Sequence, residues 1–565
     1  MRVTSALLSL LLGSQLATSV HAPDSRRRHH VINRAAGKQN PSTITDKVVW
    51  ETVFVTKTVW DDDLPTTTAA ALSSAAELVA GAISTTSAAP TTVASGTKSK
   101  TANSASVTNK SGLLPDGIIA KAAALGLTLS AGINLSTAQR SPTTTSTPPA
   151  TTAVSGPKKV FAHFMVGIVS TYENADWVAD MQLAKEKGID GFALNIGVDP
   201  YTQQQLDLAY AAGASVGNFD LFISFDFNWY KLPDTGGVAD MLKRYKDSPA
   251  QYRVDGKPFV STFIGDGFNF VEVAQQVGEP IYAVPCWQPS AENVNNAGVS
   301  GLFSWAAWSG QLDNVPVDAE KDTSRDLEYL KQTEAAGKTY MAPVSPWFST
   351  HFGKEVSYSK NWVFKSEALW QTRWDQILEL GSRLNFLEII TWNDYGESHH
   401  VGPYNTPHTD DSSSLWASGL DHAAMLDFAI PYIKAFKAGS SVPIIEQEQL
   451  VYWYRPHLKD VSCDSTDNCG SKPTGWEFLQ DTVFVSTQTK EGGLVKITSG
   501  NNPPVVQTVD AGVQMIEVPM SVGQQTFEFV TWHGGHGQST SNVSVIDTCW
   551  NGIYNFNYHS GSITC

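Results

Sequence analysis

Val160-Phe-Ala-His-Phe-Met-Val-Gly167, the helix-period run Trp177–Lys187 and Gly191-Phe-Ala-Leu-Asn-Ile-Gly197 form the stretch from which the architecture follows. Two apolar runs closed by glycine flank one amphipathic run, the pattern of a strand, a crossover helix and a parallel strand. The alternation continues downstream. Further strand-like runs are Asp220–Phe227, Lys257–Gly265, Pro280–Trp287, Gly301–Trp308, Thr339–Phe348 and Phe386–Asp394. Helical runs fall at Gln203–Ala214, Val238–Lys246, Ala319–Ala336, Ala368–Leu380 and Asp421–Phe436. Only the gap between the fifth and sixth strands lacks a clear helix. Eight strands in βα alternation predict an α/β fold, a (β/α)8 TIM barrel over residues 158–440, which typically takes ~250 residues. An open doubly wound sheet is the alternative, but no glycine-rich phosphate turn follows the first strand.

After Gly439 the helical period gives way to short alternating runs at Leu450–Tyr454, Asp481–Ser486, Gly493–Ile497, Gln514–Val518 and Thr526–Thr531. That spacing predicts a β-sandwich domain over residues 441–565. Upstream of the barrel, residues 23–157 are dense in Ser, Thr, Ala and Pro. Such a composition buries too little apolar surface to offset chain entropy, so it reads as a disordered, O-glycosylated stalk. Two islands break it: the β-prone run Val48–Trp60 and the mildly apolar run Gly112–Ser136.

Residues 1–22 have the form of a signal peptide, with Arg2, the apolar run Ala6–Leu12 and small residues up to Ala22. The chain is therefore expected to be secreted, to the extracellular space or the cell wall. Arg26-Arg27-Arg28 is open to two readings, a processing site or a solvated basic tail. Asn109, Asn134 and Asn542 head glycosylation sequons. Five cysteines in a secretory chain suggest disulfides. Local pairing, Cys463 with Cys469 and Cys549 with Cys565, is the expectation, leaving Cys286 free and buried. A formal charge of −16 disfavours nucleic acid and anionic membranes, and no apolar run is long enough to span a bilayer. A neutral substrate, no cofactor and a monomer are expected.

The chemistry concentrates at the eighth strand, Phe386-Leu-Glu-Ile-Ile-Thr-Trp-Asn-Asp-Tyr-Gly-Glu-Ser-His-His400. Its acids, Asp394 and Glu397, read either as caps of a polar turn or as catalytic groups on a rigid sheet edge. Barrel strands carry function at their C-terminal ends, where Asp199, Asp226 and Asp266 also fall. Trp229, Trp287, Trp308, Trp347 and Trp392 lie in register with them, where indole faces could stack on sugar rings. Paired carboxylates beside aromatic platforms suit glycoside hydrolysis. His163, Asn195, Asn228 and Tyr395 are further candidates for holding substrate hydroxyls. The cluster Asp394, Glu397, His399, His400, His408 and Asp410 is a weaker metal candidate, because no recognised ligand spacing supports it.

The runs Val160–Gly167, Gly188–Gly197, Phe225-Asp-Phe-Asn-Trp229, Met341–Phe348 and Thr391–His400 resemble the glycoside hydrolase family 71 α-1,3-glucanases, or mutanases. The resemblance spans Val160 to about Gly439 and leaves out the stalk. It implies hydrolysis of α-1,3-glucan with inversion at the anomeric carbon, with Asp394 and Glu397 as the catalytic pair and Asp226 as a further carboxylate. Glu397 is the expected acid, Asp394 the base, and Asp226 a field-setting group or a share of the base. An inverting pair should stand ~6.5–9.5 Å apart and a retaining pair ~5–5.5 Å. A non-catalytic carbohydrate-binding wall protein is the rival reading.

Overall fold

The computed structural model describes residues 156–565 apart from 232–233, 312–313, 320, 355, 357–358 and 406–410. The signal, stalk, two islands, basic run, Asn109, Asn134, His408 and Asp410 lie outside the described residues.

All eight expected strand runs join one curled sheet. In chain order its strands are β1 (Lys159–Met165), β2 (Gly191–Ile196), β3 (Asp220–Asp226), β4 (Arg253–Val254), β5 (Lys257–Phe263), β6 (Tyr282–Ala283), β7 (Gly301–Phe303) and β8 (Thr339–Val344). A hairpin of β9 (Ser349–Phe352) and β10 (Lys360–Val363) follows, and β11 (Phe386–Ile389) completes the sheet. The order is β4-β5-β3-β2-β1-β11-β8-β7, with β6 on β5. Every pairing is parallel except the short β4–β5 hairpin. The two ends of the series are linked by backbone hydrogen bonds from Ser300 N to Ala283 O (2.8 Å) and from Phe303 N to Pro285 O (2.9 Å). β6 and β7 are much shorter than their sequence runs. Pro280 and Pro285 flank β6, and proline has no N–H to give to a ladder. The expected helix gap after β6 holds one turn, Ala291–Val294.

Alternation along the strands sorts side chains into layers. Phe161, Phe222, Phe259 and Phe386 meet at the floor with ring centroids 4.5–6.2 Å apart. Two residues on, His163, Ser224, Ser261 and Glu388 form a buried polar layer. Two further on, Met165, Asn195, Asp226 and Phe263 reach an open cleft. The opposite parity faces the helices: Phe164 packs on Trp177 of the helix Asn174–Glu186, with centroids 4.5 Å apart.

The C-terminal runs form two four-stranded antiparallel sheets. One has the order β16-β13-β12-β19 and the other β15-β14-β17-β18. Their ranges are β12 (Gln449–Tyr454), β13 (Thr482–Thr489), β14 (Gly493–Ser499), β15 (Val505–Val509), β16 (Gly512–Pro519), β17 (Gln525–Thr531), β18 (His536–Thr540) and β19 (His559–Thr564). β12 is buried along its whole length because both its faces are covered. Leu450, Tyr452 and Tyr454 join the cluster shared by the two sheets, and Tyr452 stacks on Phe527 at 3.8 Å. Val451 and Trp453 point the other way into the core around the parallel sheet, where Trp453 Nε1 donates to Glu367 O (2.8 Å).

The expected disulfide pairing is corrected. Cys463 bonds Cys549, with Cα atoms 5.8 Å apart, while Cys286, Cys469 and Cys565 are not in disulfides. Cys565 ends β19 against β12, where its N–H donates to Glu448 O, so pairing along the ladder carries it away from Cys549. Cys463 and Cys549 instead join two long loops.

Candidate active site

An open cleft is lined by Met165, Ile168, Asn195, Asp226, Asn228, Phe263, Trp305, Phe352, Lys360, Asp394, Gly396, Glu397 and Asp411. Five of the expected site residues meet there: Asp226, Asp394, Glu397, Asn195 and Asn228. They come from the ends of β2, β3 and β11, where the fold presents side chains to solvent.

The turn after β11 is held from several sides. The Ile390–Thr391 peptide bond is cis. Thr391 Oγ1 accepts from Asp394 N (2.8 Å), and Asn393 Oδ1 accepts from Met165 N (2.7 Å), tying the turn to β1. Asp394 caps the 3-10 turn Tyr395–Glu397, its Oδ1 accepting from Glu397 N (3.2 Å). Asp394 thus caps the turn and lines the cleft at once. A side chain at Gly396 would put its Cβ 2.9 Å from the ring of Phe352, so glycine lets the cleft wall close over the turn.

Both oxygens of Glu397 are engaged. Lys360 Nζ donates to Oε1 (2.9 Å), and His399 Nε2 lies 3.1 Å from Oε2. Thr391 Oγ1 lies 3.2 Å from His399 Nδ1 and can donate to it, which leaves the Nε2 proton for Glu397. Burial opposes ionisation of Glu397, but Lys360 and His399 outweigh it and hold its carboxyl well below the usual range. Burial raises the pKa of Asp394, and the Glu397 charge adds to the rise against the pull of His399 and Lys360. In this coupled pair the two carboxyls are therefore shifted in opposite directions, Asp394 toward holding a proton and Glu397 toward the anion.

Lys360 arrives on the β9–β10 hairpin, which is stitched to the loops of the C-terminal sheets. Val363 N donates to Thr474 O (2.9 Å), Thr474 N to Asn361 O (3.0 Å) and Asn361 Nδ2 to Ser471 O (2.9 Å). His351 Nε2 of β9 lies 2.8 Å from Asp467 Oδ2, which also accepts from Tyr554 N (2.7 Å). The Cys463–Cys549 bond packs in the same cluster as Val363 and Tyr554.

Several expected substrate contacts are corrected. Trp287, Trp308, Trp347 and Trp392 are 0–2% exposed and line no part of the cleft. Trp287 packs on Phe270, Trp308 Nε1 donates to Trp347 O, Trp347 lies against His422 and Tyr558, and Trp392 packs on Phe192. They fill the layers behind the strand ends; Trp308 also backs His399 at 5.2 Å. Tyr395 is fully buried, its hydroxyl donating to Pro403 O. His163 lies below the cleft, its Nδ1 2.6 Å from Glu388 Oε1. Trp229 is half-buried beside Phe352 and Trp416. Asp266 holds a turn, accepting from Gln288 N and Asn293 Nδ2, and buried Asp199 is absent from the cleft wall.

Of the histidine cluster, His399 stays with the acids, while His400 stacks on His422 at 3.8 Å. Asp394, Glu397 and His399 each offer an atom within 4.8 Å of the others. That triad could ligate a metal in principle, but the ammonium of Lys360 already supplies the cation facing Glu397.

Sequence reasoning missed Lys360, Phe352, Trp305 and Asp411. The first two lie in Ser349-Thr-His-Phe352 and Lys360-Asn-Trp-Val363, short runs with no polar–apolar alternation to mark them as the hairpin strands they form. Trp305 falls inside the sixth strand run, two residues beyond the observed end of β7, where the chain turns into the cleft.

Asp226, Asp394 and Glu397 at strand ends, in an open cleft walled by Trp305, Phe263 and Phe352, suit a glycoside hydrolase. The chain belongs to Glycosyl hydrolase family 71, whose sequence profile matches residues 156–565. A mutanase of Penicillium rubens is 45% identical over 412 residues, covering 72% of this chain and 88% of the relative. The glucan endo-1,3-alpha-glucosidase agn1 of Schizosaccharomyces pombe is 36% identical over 419 residues, 72% of this chain and 94% of that protein. An ascus wall endo-1,3-alpha-glucanase of the same yeast is 29% identical over 431 residues, 71% and 96% of the two chains. Among the described residues no helix is long and apolar enough to cross a membrane.

Proposed function

We propose that this chain is an extracellular or cell-wall enzyme that hydrolyses the α-1,3-glucosidic bonds of α-1,3-glucan with inversion, acting as a monomer without a cofactor. The curled sheet is read as a (β/α)8 barrel, residues 158–440, buttressed by a β-sandwich, residues 441–565. One observation carries the catalytic reading: two adjacent carboxyls share the cleft, and Lys360 and His399 sit on Glu397, so that burial raises Asp394 while Glu397 is lowered.

In this reading the roles expected within the pair are exchanged. Asp394, which keeps its proton, protonates the departing glycosidic oxygen. Glu397, held as an anion, raises the affinity of Asp394 for that proton and faces the positive charge that develops on the sugar. The two carboxyls offer oxygens within 4.8 Å of each other, which is too close to seat a water on the opposite face of the ring. The water-directing base is therefore Asp226, three strands away from β11 and on the same cleft. Trp305, Phe263 and Phe352 offer apolar faces to pyranose rings, and Asn195 and Asn228 offer amides to hydroxyls.

The test is hydrolysis of α-1,3-glucan followed by NMR of the nascent anomer. Release of the β-anomer first, with loss of rate in Asp226→Asn, is expected. Retention of the α-anomer would make Asp394 and Glu397 the working pair and remove Asp226 from the base role. Asp394→Asn should lose ~10²–10⁴-fold on glucan and recover on an α-1,3-oligoglucosyl fluoride, whose leaving group needs no proton. Binding of glucan without release of sugar would leave only the wall-protein reading.

A further inference from the structure

We infer that Asp411 is a substrate-binding carboxyl of this cleft, built to take a hydroxyl of the bound sugar; this rests on the glucan reading above. Asp411 lines the cleft from the segment preceding the short helix Ser414–Ala417, and it is 3% exposed. Its two oxygens have different fates. Oδ1 accepts from Ser413 N (3.0 Å) and from the Ser413 hydroxyl, which fixes the turn into the helix. Oδ2 is buried and has no hydrogen-bond partner among the described residues.

A turn cap needs only one acceptor atom, and serine or asparagine would supply it. The second oxygen is surplus to that task and costly to bury unpaired. Its position on a cleft wall gives it a partner when a ligand enters. Burial pushes the Asp411 carboxyl up to about 7, with the Asp394 charge adding to the rise and the Ser413 contacts opposing it. The group therefore carries a proton in mildly acidic solution, and Oδ2 can donate to or accept from a hydroxyl that does the reverse. A neutral polyhydroxylated ligand suits this site better than an anion, which the Glu397 carboxylate would repel. The Lys360 ammonium is already committed to Glu397. Asp411 is thus a binding residue, distinct from the three carboxyls that handle protons in the reaction.

The test uses the full-length protein and a panel of α-1,3-glucan oligosaccharides, each lacking one hydroxyl. In the unaltered protein one deoxy position should lower kcat/KM by about tenfold or more, as expected for losing a hydrogen bond to a carboxyl. Asp411→Ser keeps a cap acceptor for Ser413 N and removes the second oxygen. It should lose a similar factor on the intact oligosaccharide and treat that deoxy compound as the intact one, within about twofold. Asp411→Asn keeps the shape and the cap and should change discrimination at that same position only; it decides the matter if the serine variant misfolds. Unchanged discrimination in these variants, or an unaltered protein indifferent to every deoxy position while cleaving the intact sugar, overturns the contact alone. No cleavage of the intact oligosaccharide overturns the glucan reading and this contact with it.

Discussion

Lys360→Met separates the electrostatic account of the site from a purely steric one. The side chain keeps its approximate length and its seat beside Trp362 but loses the charge 2.9 Å from Glu397 Oε1. At an effective dielectric constant of about 20, two unit charges at that distance attract by about 6 kcal/mol. His399 remains within 3.1 Å of the other oxygen and recovers part of this. Even a quarter of the total corresponds to about one pH unit. The sign follows from the carboxyl's direction. With Lys360 present, Glu397 stays ionised well into acid, so protonation of Glu397 ends activity only at low pH; without Lys360 its pKa rises and the acid limb of kcat/KM moves toward neutral by at least about one unit. Folding stability changes in the same sense. A depressed carboxyl adds stability above its unfolded pKa of about 4.3 and loses it as pH falls through the folded value. The variant should be less stable by about 3 kcal/mol near pH 6, the lower end for breaking a buried pair. That deficit should shrink below about pH 4, where the unfolded carboxyl also takes up a proton. Thermal melts across pH and a pH–rate profile read both effects. An acid limb and a pH-independent stability loss that match Ala or Met substitutions elsewhere in the hairpin would refute the reasoning.

Other consequences are independent of that pair. Raising the pH through the elevated pKa of Asp394 should remove the proton donor, so kcat/KM on glucan falls on the alkaline side while an oligoglucosyl fluoride is still cleaved; equal decline on both substrates would count against Asp394 as the acid. Asp467→Asn, 2.8 Å from His351, should loosen the hairpin and shift the acid limb in the same direction as Lys360→Met. In a double-mutant cycle the two shifts should add to less than their sum, whereas full additivity would detach Asp467 from the site. Phe259→Ala opens the phenylalanine floor and should cost about 3–5 kcal/mol in denaturant unfolding with little change in KM, because the floor lies two layers beneath the cleft.

What was legible in the sequence is what repeats with a period. The βα alternation gave every parallel strand of the curled sheet but not the short antiparallel β4, and strand ends placed Asp226, Asn195, Asn228, Asp394 and Glu397 on one cleft. Less legible was which way a side chain turns once a strand has ended. Trp287, Trp308, Trp347 and Trp392 sit near strand ends as surely as the acids do, yet their indoles turn into the layers behind, where large apolar surface is buried. Lys360 was hidden for a different reason. Its partner lies 37 positions away, and what brings them together is a hairpin folded back over the cleft, held by residues a hundred or more positions downstream. The disulfide went wrong likewise: proximity along the chain suggested local loops, and ladder pairing of β12 with β19 sent Cys565 elsewhere.

The stitching of the β9–β10 hairpin to Asp467, Ser471, Thr474 and Tyr554 bears on how such a chain can be cut and recombined. The three carboxyls proposed to handle protons lie before residue 440, so a fragment ending there would carry all of them. It would not carry the frame that keeps the ammonium of Lys360 on Glu397. The hairpin's partners stand 110 or more positions downstream of it, so its frame needs the chain through Tyr554. The proposed boundary at residue 440 is thus crossed by the hydrogen bonds that seat the hairpin, which run to residues 467–554.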